Sequence, residues 1–252
     1  MKRILIVGFI FYFFILSSFS QNGDHVEGRF SKTIEYNLLW WGNGSNLNSK
    51  GEVEKLFFGD FNAPVEFFFN PSPEYPEEPS GFRIIKDTLK KTYILEIKWI
   101  PNFREALKEA YSDYPMRGVS SPISTPKDTL DQIGMQNREN IKNASKLALK
   151  LFTVDTRYVS ISNSFAEKLY KKMVSFIDNF KARGVPHLMV GGAEVTFRTV
   201  VDDEVWCLNI QTPFGNALEN ALKMSIICSK IIKDGKNNQF DEASYVKLLD
   251  DF

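Results

Sequence analysis

The chain reads as an α+β protein in which antiparallel hairpins pack with helices on one side. Three observations predict this. Residues 82–87 with 92–99, and 195–201 with 205–211, are paired β-type runs joined by short polar turns, the mark of hairpins. Residues 164–184 and 216–234 hold apolar side chains at helical spacing. The second half then runs strand, helix, strand, strand, helix, helix, after a first half that is mostly strand with one helix.

The first element is an export leader. Lys2 and Arg3 give a basic start, Ile4 to Leu16 run apolar, and Ser18 and Ser20 supply the small side chains a signal peptidase needs. The run is short of the ~20 residues of a spanning helix, and polar Gln21-Asn22-Gly23-Asp24 follows at once. Cleavage after Ser20 leaves Gln21 as the new terminus and an exported protein, periplasmic or secreted, with no later segment of membrane length. The 31 basic and 31 acidic residues lose only Lys2 and Arg3 with the leader, which leaves a formal charge of −2. Such a balance gives no electrostatic footprint for nucleic acid.

Residues 21–112 form a strand-rich half. Residues 21–34 read as a polar, loose terminus, and Glu35 to Trp41 as the first strand, ended by Gly42-Asn43-Gly44. Glu54–Phe58 and Val65–Phe69 are short aromatic runs, which favours strands. Pro71 to Gly81, with four prolines and three glutamates, is a surface loop that cannot continue a sheet. In the hairpin that follows, Tyr93, Leu95, Ile97 and Trp99 mark an apolar face. Thr92, Ile94, Glu96 and Lys98 mark the other, expected to be wet. Asn102 caps a short helix to Ser112.

Residues 113–125 are linker-like and separate that half from residues 126–252, so the chain is either one compact unit or two halves. Thr125-Pro126-Lys127-Asp128 opens a long helix that Gly134 could break in two. Thr156 to Ile161 is a strand, and Ser164-Phe165-Ala166-Glu167 is a capping box for a helix running to Gly184. A hairpin turns at Asp202-Asp203. A helix from Asn216 ends at Gly235, and Asp241 to Asp250 forms a last helix with Tyr245, Leu248 and Leu249 on one side.

The two cysteines, Cys207 and Cys228, invite a disulfide in an exported chain. Facing argues for free thiols. Trp206, Leu208 and Ile210 share a face with Val195 and Phe197, so Cys207 points the other way, beside Arg198.

Little chemistry is written in the sequence. His25 and His187 are the two histidines, and no zinc spacing, nucleophile elbow or phosphate-binding glycine pattern accompanies them. No catalytic residue, metal or cofactor is expected. The acid clusters Asp202-Asp203-Glu204, Glu77-Glu78 and Asp250-Asp251 match solvated turns. The aromatic surplus is the better signal for binding. Trp40-Trp41, Phe57-Phe58 and Phe67-Phe68-Phe69 place large rings on both faces of short strands, and an exposed patch of them would mark a binding face. Trp40 and Trp41 are the candidate ligand-binding residues.

The segments FFFNPSPEYPEEPSGFRIIKD (67–87), YILEIKWIPN (93–102), SNSFAEKLYKKMVSFIDNFKARGVP (162–186) and VTFRTVVDDEVWCLNI (195–210) resemble a group of small, signal-bearing proteins from gut-type bacteria. The resemblance spans most of the mature chain. It implies an exported bacterial protein and no activity, ligand or site residue. The functional expectation is therefore a non-enzymatic binding or interaction protein of the cell envelope, partnered by an envelope protein or a glycan. A carboxylate-dependent, glycan-directed hydrolase with a site between the halves is the first alternative. A structural subunit of an envelope complex is the second.

Overall fold

A computed structural model describes residues 26–27, 30–36, 50–73, 75–87, 92–118, 125–181, 192–211 and 218–252. The expected leader, His25, Trp40, Trp41, the expected strand beyond Tyr36, Gly184, Pro186 and His187 lie outside the described residues.

The strands are β1 (Val26–Glu27), β2 (Phe30–Tyr36), β3 (Phe61–Asn62), β4 (Val65–Pro71), β5 (Ser80–Asp87), β6 (Thr92–Trp99), β7 (Asp155–Ile161), β8 (Ala193–Val201) and β9 (Glu204–Gln211). The helices are α1 (Glu52–Phe58), α2 (Phe103–Asp113), α3 (Lys127–Leu151), α4 (Asn163–Asp178), α5 (Glu219–Lys236) and α6 (Glu242–Asp250). The fold is α+β. Seven strands form one sheet in the order β2-β9-β8-β4-β5-β6-β7. Every pairing in it is antiparallel except β2 with β9. Strands from both sides of the 113–125 segment alternate in this sheet, so the two halves share one core.

The two expected hairpins form as read. β5 and β6 pair from Ser80↔Trp99 to Asp87↔Thr92. β8 and β9 turn at Asp202 and Asp203, whose φ of 49° and 63° make the left-handed turn that matches strand twist. On one sheet face the cross-strand row Leu208, Phe197, Phe67, Phe82, Ile97 is buried with Phe165, Leu169, Met173, Met224 and Ile231 from α4 and α5.

The other face is not wet. Glu96 is buried beneath α1, and Phe57, Phe58, Phe68, Ile100 and Phe103 form a second core there. The strand expected at Glu54–Phe58 is thus a helix. Its buried positions are Glu54, Phe57 and Phe58, the i, i+3, i+4 spacing of one helical face, which aromatic enrichment concealed. Gly81 permits the docking: a Cβ there would lie 2.7 Å from Phe67 O and 3.1 Å from the Phe58 ring.

Other boundaries move for local reasons. The supposedly loose 30–34 stretch is strand, drawn in by parallel pairing with β9, Ile34 opposite Leu208. α3 runs unbroken through Gly134. Just beyond it, Asn137 exchanges two hydrogen bonds with the Arg117 backbone, and Asn140 donates to Pro115 O at 2.7 Å. Asn102 stands at the start of α2 without capping it. Its amide donates to Leu151 O at 2.9 Å and accepts from Thr153 N at 2.9 Å, tying α2 to the end of α3.

The cap of α4 is Ser162 rather than Ser164, accepting from Phe165 N at 3.1 Å. The reciprocal glutamate comes from another helix, since Glu242 of α6 accepts from Ser162 N at 2.9 Å. α4 stops at Asn179, whose side chain donates to Ser175 O. On α6, Tyr245 and Leu249 are buried while Leu248 is exposed.

α5 does not end at Gly235 but passes through it, stopping at Asn237 before Asn238 at φ 57°. Gly235 is a contact point. A Cβ on it would sit 2.1 Å from Ile97 Cδ1, and Ile97 is fully buried. Alanine normally stabilises a helix interior by about 1 kcal/mol over glycine. Here Gly235→Ala is expected to lower stability by about 1–2 kcal/mol through overpacking. Adding Ile97→Val, which removes the colliding methyl, should recover part of that loss in urea denaturation. A Gly235→Ala protein as stable as the parent would refute the close approach.

Candidate functional site

Two assemblies stand out: a buried row of charges across the sheet and an open groove beside α5. The row lies on the face under α1. Cys207, Arg198, Glu66, Arg83, Glu96 and Tyr158 are consecutive cross-strand partners on β9, β8, β4, β5, β6 and β7. Strands stack about 4.8 Å apart, so four alternating charges stand side by side. Opposite charges directly across a strand pair are mutually stabilising.

Arg198 reaches Glu66 at 3.2 Å and pairs through two nitrogens with Glu54 of α1. Lys50 lies 2.8 Å from Glu66, and its ammonium donates to Phe61 O at 2.6 Å. Ala63 N also donates to Glu66, at 2.6 Å. Further along, Arg83 pairs with Glu96 and donates to Phe58 O at 3.2 Å, while Lys98 pairs with Glu96 at 3.3 Å and donates to Phe57 O. Two cations thus serve the last carbonyls of α1, where the helix dipole favours positive charge.

Burial alone would push the Glu66 carboxyl up. Lys50 and Arg198 outweigh it and hold the group below its ordinary value. Burial pulls the Lys50 ammonium down, and Glu66 restores only part of the fall. Burial raises the Cys207 thiol to about 11 despite the adjacent Arg198. Glu54, Glu66 and Arg198 are each under 5% exposed, so no substrate reaches these carboxylates. The row is a scaffold, and Cys207 is a protonated, unreactive thiol within it.

The groove is different. It has a volume of about 710 Å³, between the start of β8, the end of β4, the 71–80 loop and α5. Phe69, Val195, Leu222, Ile226 and Ile232 give it an apolar floor. Lys230, Lys233 and Lys236 stand at i, i+3, i+6 along α5, facing Glu77 and Glu78 of the loop. Lys236 pairs with Glu78 and lies 4.9 Å over the Trp99 ring. Asp234 pairs with Lys230, and Tyr245 Oη lies 2.6 Å from it. Desolvation raises the Asp234 carboxyl, but those two hydrogen bonds hold it below its ordinary value.

The loop is fixed rather than loose. Ser72 N donates to Gly192 O at 2.7 Å, Ile100 N to Pro79 O at 3.1 Å, and Arg104 to Tyr75 O. Tyr75 packs edge-on against Phe69, with ring centroids 6.1 Å apart.

The sequence-based candidates fall elsewhere. Trp40 and Trp41 lie outside the described residues. Phe57, Phe58, Phe67 and Phe68 are buried in the two cores, so they form no exposed aromatic patch. Asp202 and Asp203 sit on an exposed turn and Asp250 and Asp251 at the exposed end of α6, Asp250 paired with Lys168 at 2.5 Å, whereas Glu77 and Glu78 line the groove. Cys207 and Cys228 are both free and buried, Cys207 in the charge row and Cys228 in the α5 core. Among the described residues no group of three His, Cys, Asp or Glu side chains is placed to hold a metal. Sequence reasoning missed the groove, although three lysines at spacing three on one helix were visible in it. No protein-family model, curated protein or solved structure matches this chain.

Two outcomes follow from the charge row. Arg198→Leu leaves Glu54 and Glu66 buried without their shared cation and should cost about 3–5 kcal/mol in urea unfolding. An effect below about 1 kcal/mol would mean the row is solvated. Because Glu66 titrates lower folded than unfolded, its contribution is complete above the ordinary carboxylate value and disappears as pH falls through the folded one. Thermal melts between roughly pH 6 and pH 2 should show a flatter acid limb for Glu66→Gln than for the parent. The flattening is partial, since Asp234 supplies a second term of the same sign. Parallel acid limbs would refute it.

Proposed function

We propose that the protein is a non-catalytic binding protein exported to the bacterial cell envelope, and that its ligand occupies the groove beside α5. The groove is the observation that carries this reading. Its volume of about 710 Å³ falls in the range of about 300–1,000 Å³ used by small-ligand sites, and an apolar floor with a few convergent polar groups is their usual chemistry. Its loop wall is already hydrogen-bonded in place, so little ordering opposes binding.

The leader at residues 1–20 supports export. Among the described residues no helix is long and apolar enough to cross a membrane. Phe57, Phe58, Phe67 and Phe68 form core, and of these aromatic runs Phe69 is the ring that lines the groove.

The neutral apolar dye N-phenyl-1-naphthylamine reports on such a groove. The parent should bind it saturably. Leu222→Glu and Ile226→Glu, which place a charge on the floor without touching the buried core, should each weaken binding at least about fivefold. Far-UV circular dichroism should be unchanged. Equal dye binding by parent and variants would remove the groove from consideration. Export has its own test: mass analysis of the protein from the bacterial envelope should find Gln21 at the N-terminus. An intact chain beginning at Met1 in the cytosol would overturn the assigned address.

A further inference from the structure

We infer that the groove takes a neutral oligosaccharide, a reading that rests on the groove being the ligand site. The charge balance of its rim is the first argument. Lys230, Lys233, Lys236 and Asp234 of α5 line it together with Glu77 and Glu78 of the loop, three cations and three anions. Two of the opposite-charge pairs are already closed, Lys236 with Glu78 and Lys230 with Asp234. A rim of zero net charge provides no field to draw in an anion or a cation.

It does provide donors and acceptors close together, the ammonium groups and Asp234 on α5 and the carboxylates of Glu77 and Glu78 on the loop. A hydroxyl both donates and accepts, so a ligand made of hydroxyls can be satisfied along such a rim at every orientation. A carboxylate, phosphate or ammonium would be satisfied on one side and repelled on the other. A fatty chain would leave six charged side chains of the lining poorly solvated.

The aromatic wall is the second argument. A sugar ring is polar at its edge and apolar on its C–H faces, so it needs a flat apolar surface beside hydrogen-bonding groups. Tyr75 supplies one next to Glu77 and Glu78, held by the Arg104 hydrogen bond to its carbonyl and by packing on Phe69. An aromatic side chain gives a large contact area at low conformational cost. Below it, the apolar floor of Phe69 and Val195 is interrupted by the exposed Ser229 on α5 and by Ser80 on β5. Apolar and hydroxyl-bearing side chains therefore lie together in the lining.

The test displaces the dye with chitotriose, cellotriose and maltotriose, each at about 10 mM, above the Kd of a weak site. Laurate and tri-alanine serve as comparison ligands. At least one trisaccharide should displace the dye. Tyr75→Ala, which removes the stacking surface, should weaken that displacement about fivefold, and Glu77→Ala should weaken it as well. Dye binding is titrated separately for each variant, so that the change is read as a sugar Kd rather than as a change in dye affinity. If no trisaccharide displaces it, the sugar assignment is overturned whatever laurate or tri-alanine do, while the groove stands as a site for another class. Sugar binding unaffected by either substitution would place the sugar elsewhere and overturn it too. A parent that binds no dye would remove both readings.

Discussion

The buried guanidinium of Arg198 is the constraint from which the second half of the architecture follows. Arginine stays charged at any pH the fold survives, and burial leaves this one 2% exposed on the third strand of a seven-stranded sheet. Its charge must be met from two directions. Glu66 meets it in the plane, one strand away, and Glu54 meets it from above. Glu54 can only be there if α1 lies across this face, and α1 brings Phe57 and Phe58 with it. A buried ion pair adds little net stability over an apolar replacement of similar shape. What it contributes here is register. A slip of one residue would turn Arg198 into the core around Phe67 and Phe197 into the row of buried charges, so every competing strand alignment carries a heavy electrostatic cost.

The same row explains why this sheet needs so many aromatic residues. Both faces are covered, and each has its own apolar cluster. Phe67 and Phe68 are neighbours in sequence yet belong to different cores, because successive strand residues point to opposite faces. Aromatic doublets that resemble an exposed binding surface are what a doubly covered strand requires. The groove forms where that cover runs out. Val195, Phe69 and Ser80 are one cross-strand row near the end of β4, just before Pro71 takes the chain into the loop. α5 lies along this row, so part of the apolar face remains open between helix and loop.

What the sequence reveals depends on how local the cause is. The hairpins at 82–99 and 195–211 are legible, because alternation and a two-residue Asp-Asp turn are properties of neighbours in the chain. α5 is legible as a helix, but its end is not: Gly235 resembles a stop signal, and only the position of Ile97 from a distant strand reveals it as a packing contact. α1 is hidden because seven residues hold too few turns to establish a period. The charge row is hidden for a stronger reason. Glu66, Arg83, Glu96 and Arg198 each look like solvent-facing strand residues in isolation, and their alternation exists only once the four strands are in order. The groove joins segments more than a hundred residues apart, as the Lys236–Glu78 pair does. No local pattern could have announced it.

These two assemblies would divide the labour of the proposed binding protein. Moving a floor residue such as Val195 means moving β8, and β8 carries Arg198. Any shift that opened the floor would separate a buried cation from its carboxylates, whose loss costs several kcal/mol. The floor is therefore rigid for electrostatic reasons that originate on the opposite face of the sheet. Adaptability is left to the rim, where Lys230 and Lys233 are exposed and Glu77 sits on the loop. Exposed ion pairs contribute at most about 1 kcal/mol each, so a ligand can break and replace them at little cost. For the proposed ligand, shape would be set by the charge row and selectivity by side chains that can exchange partners.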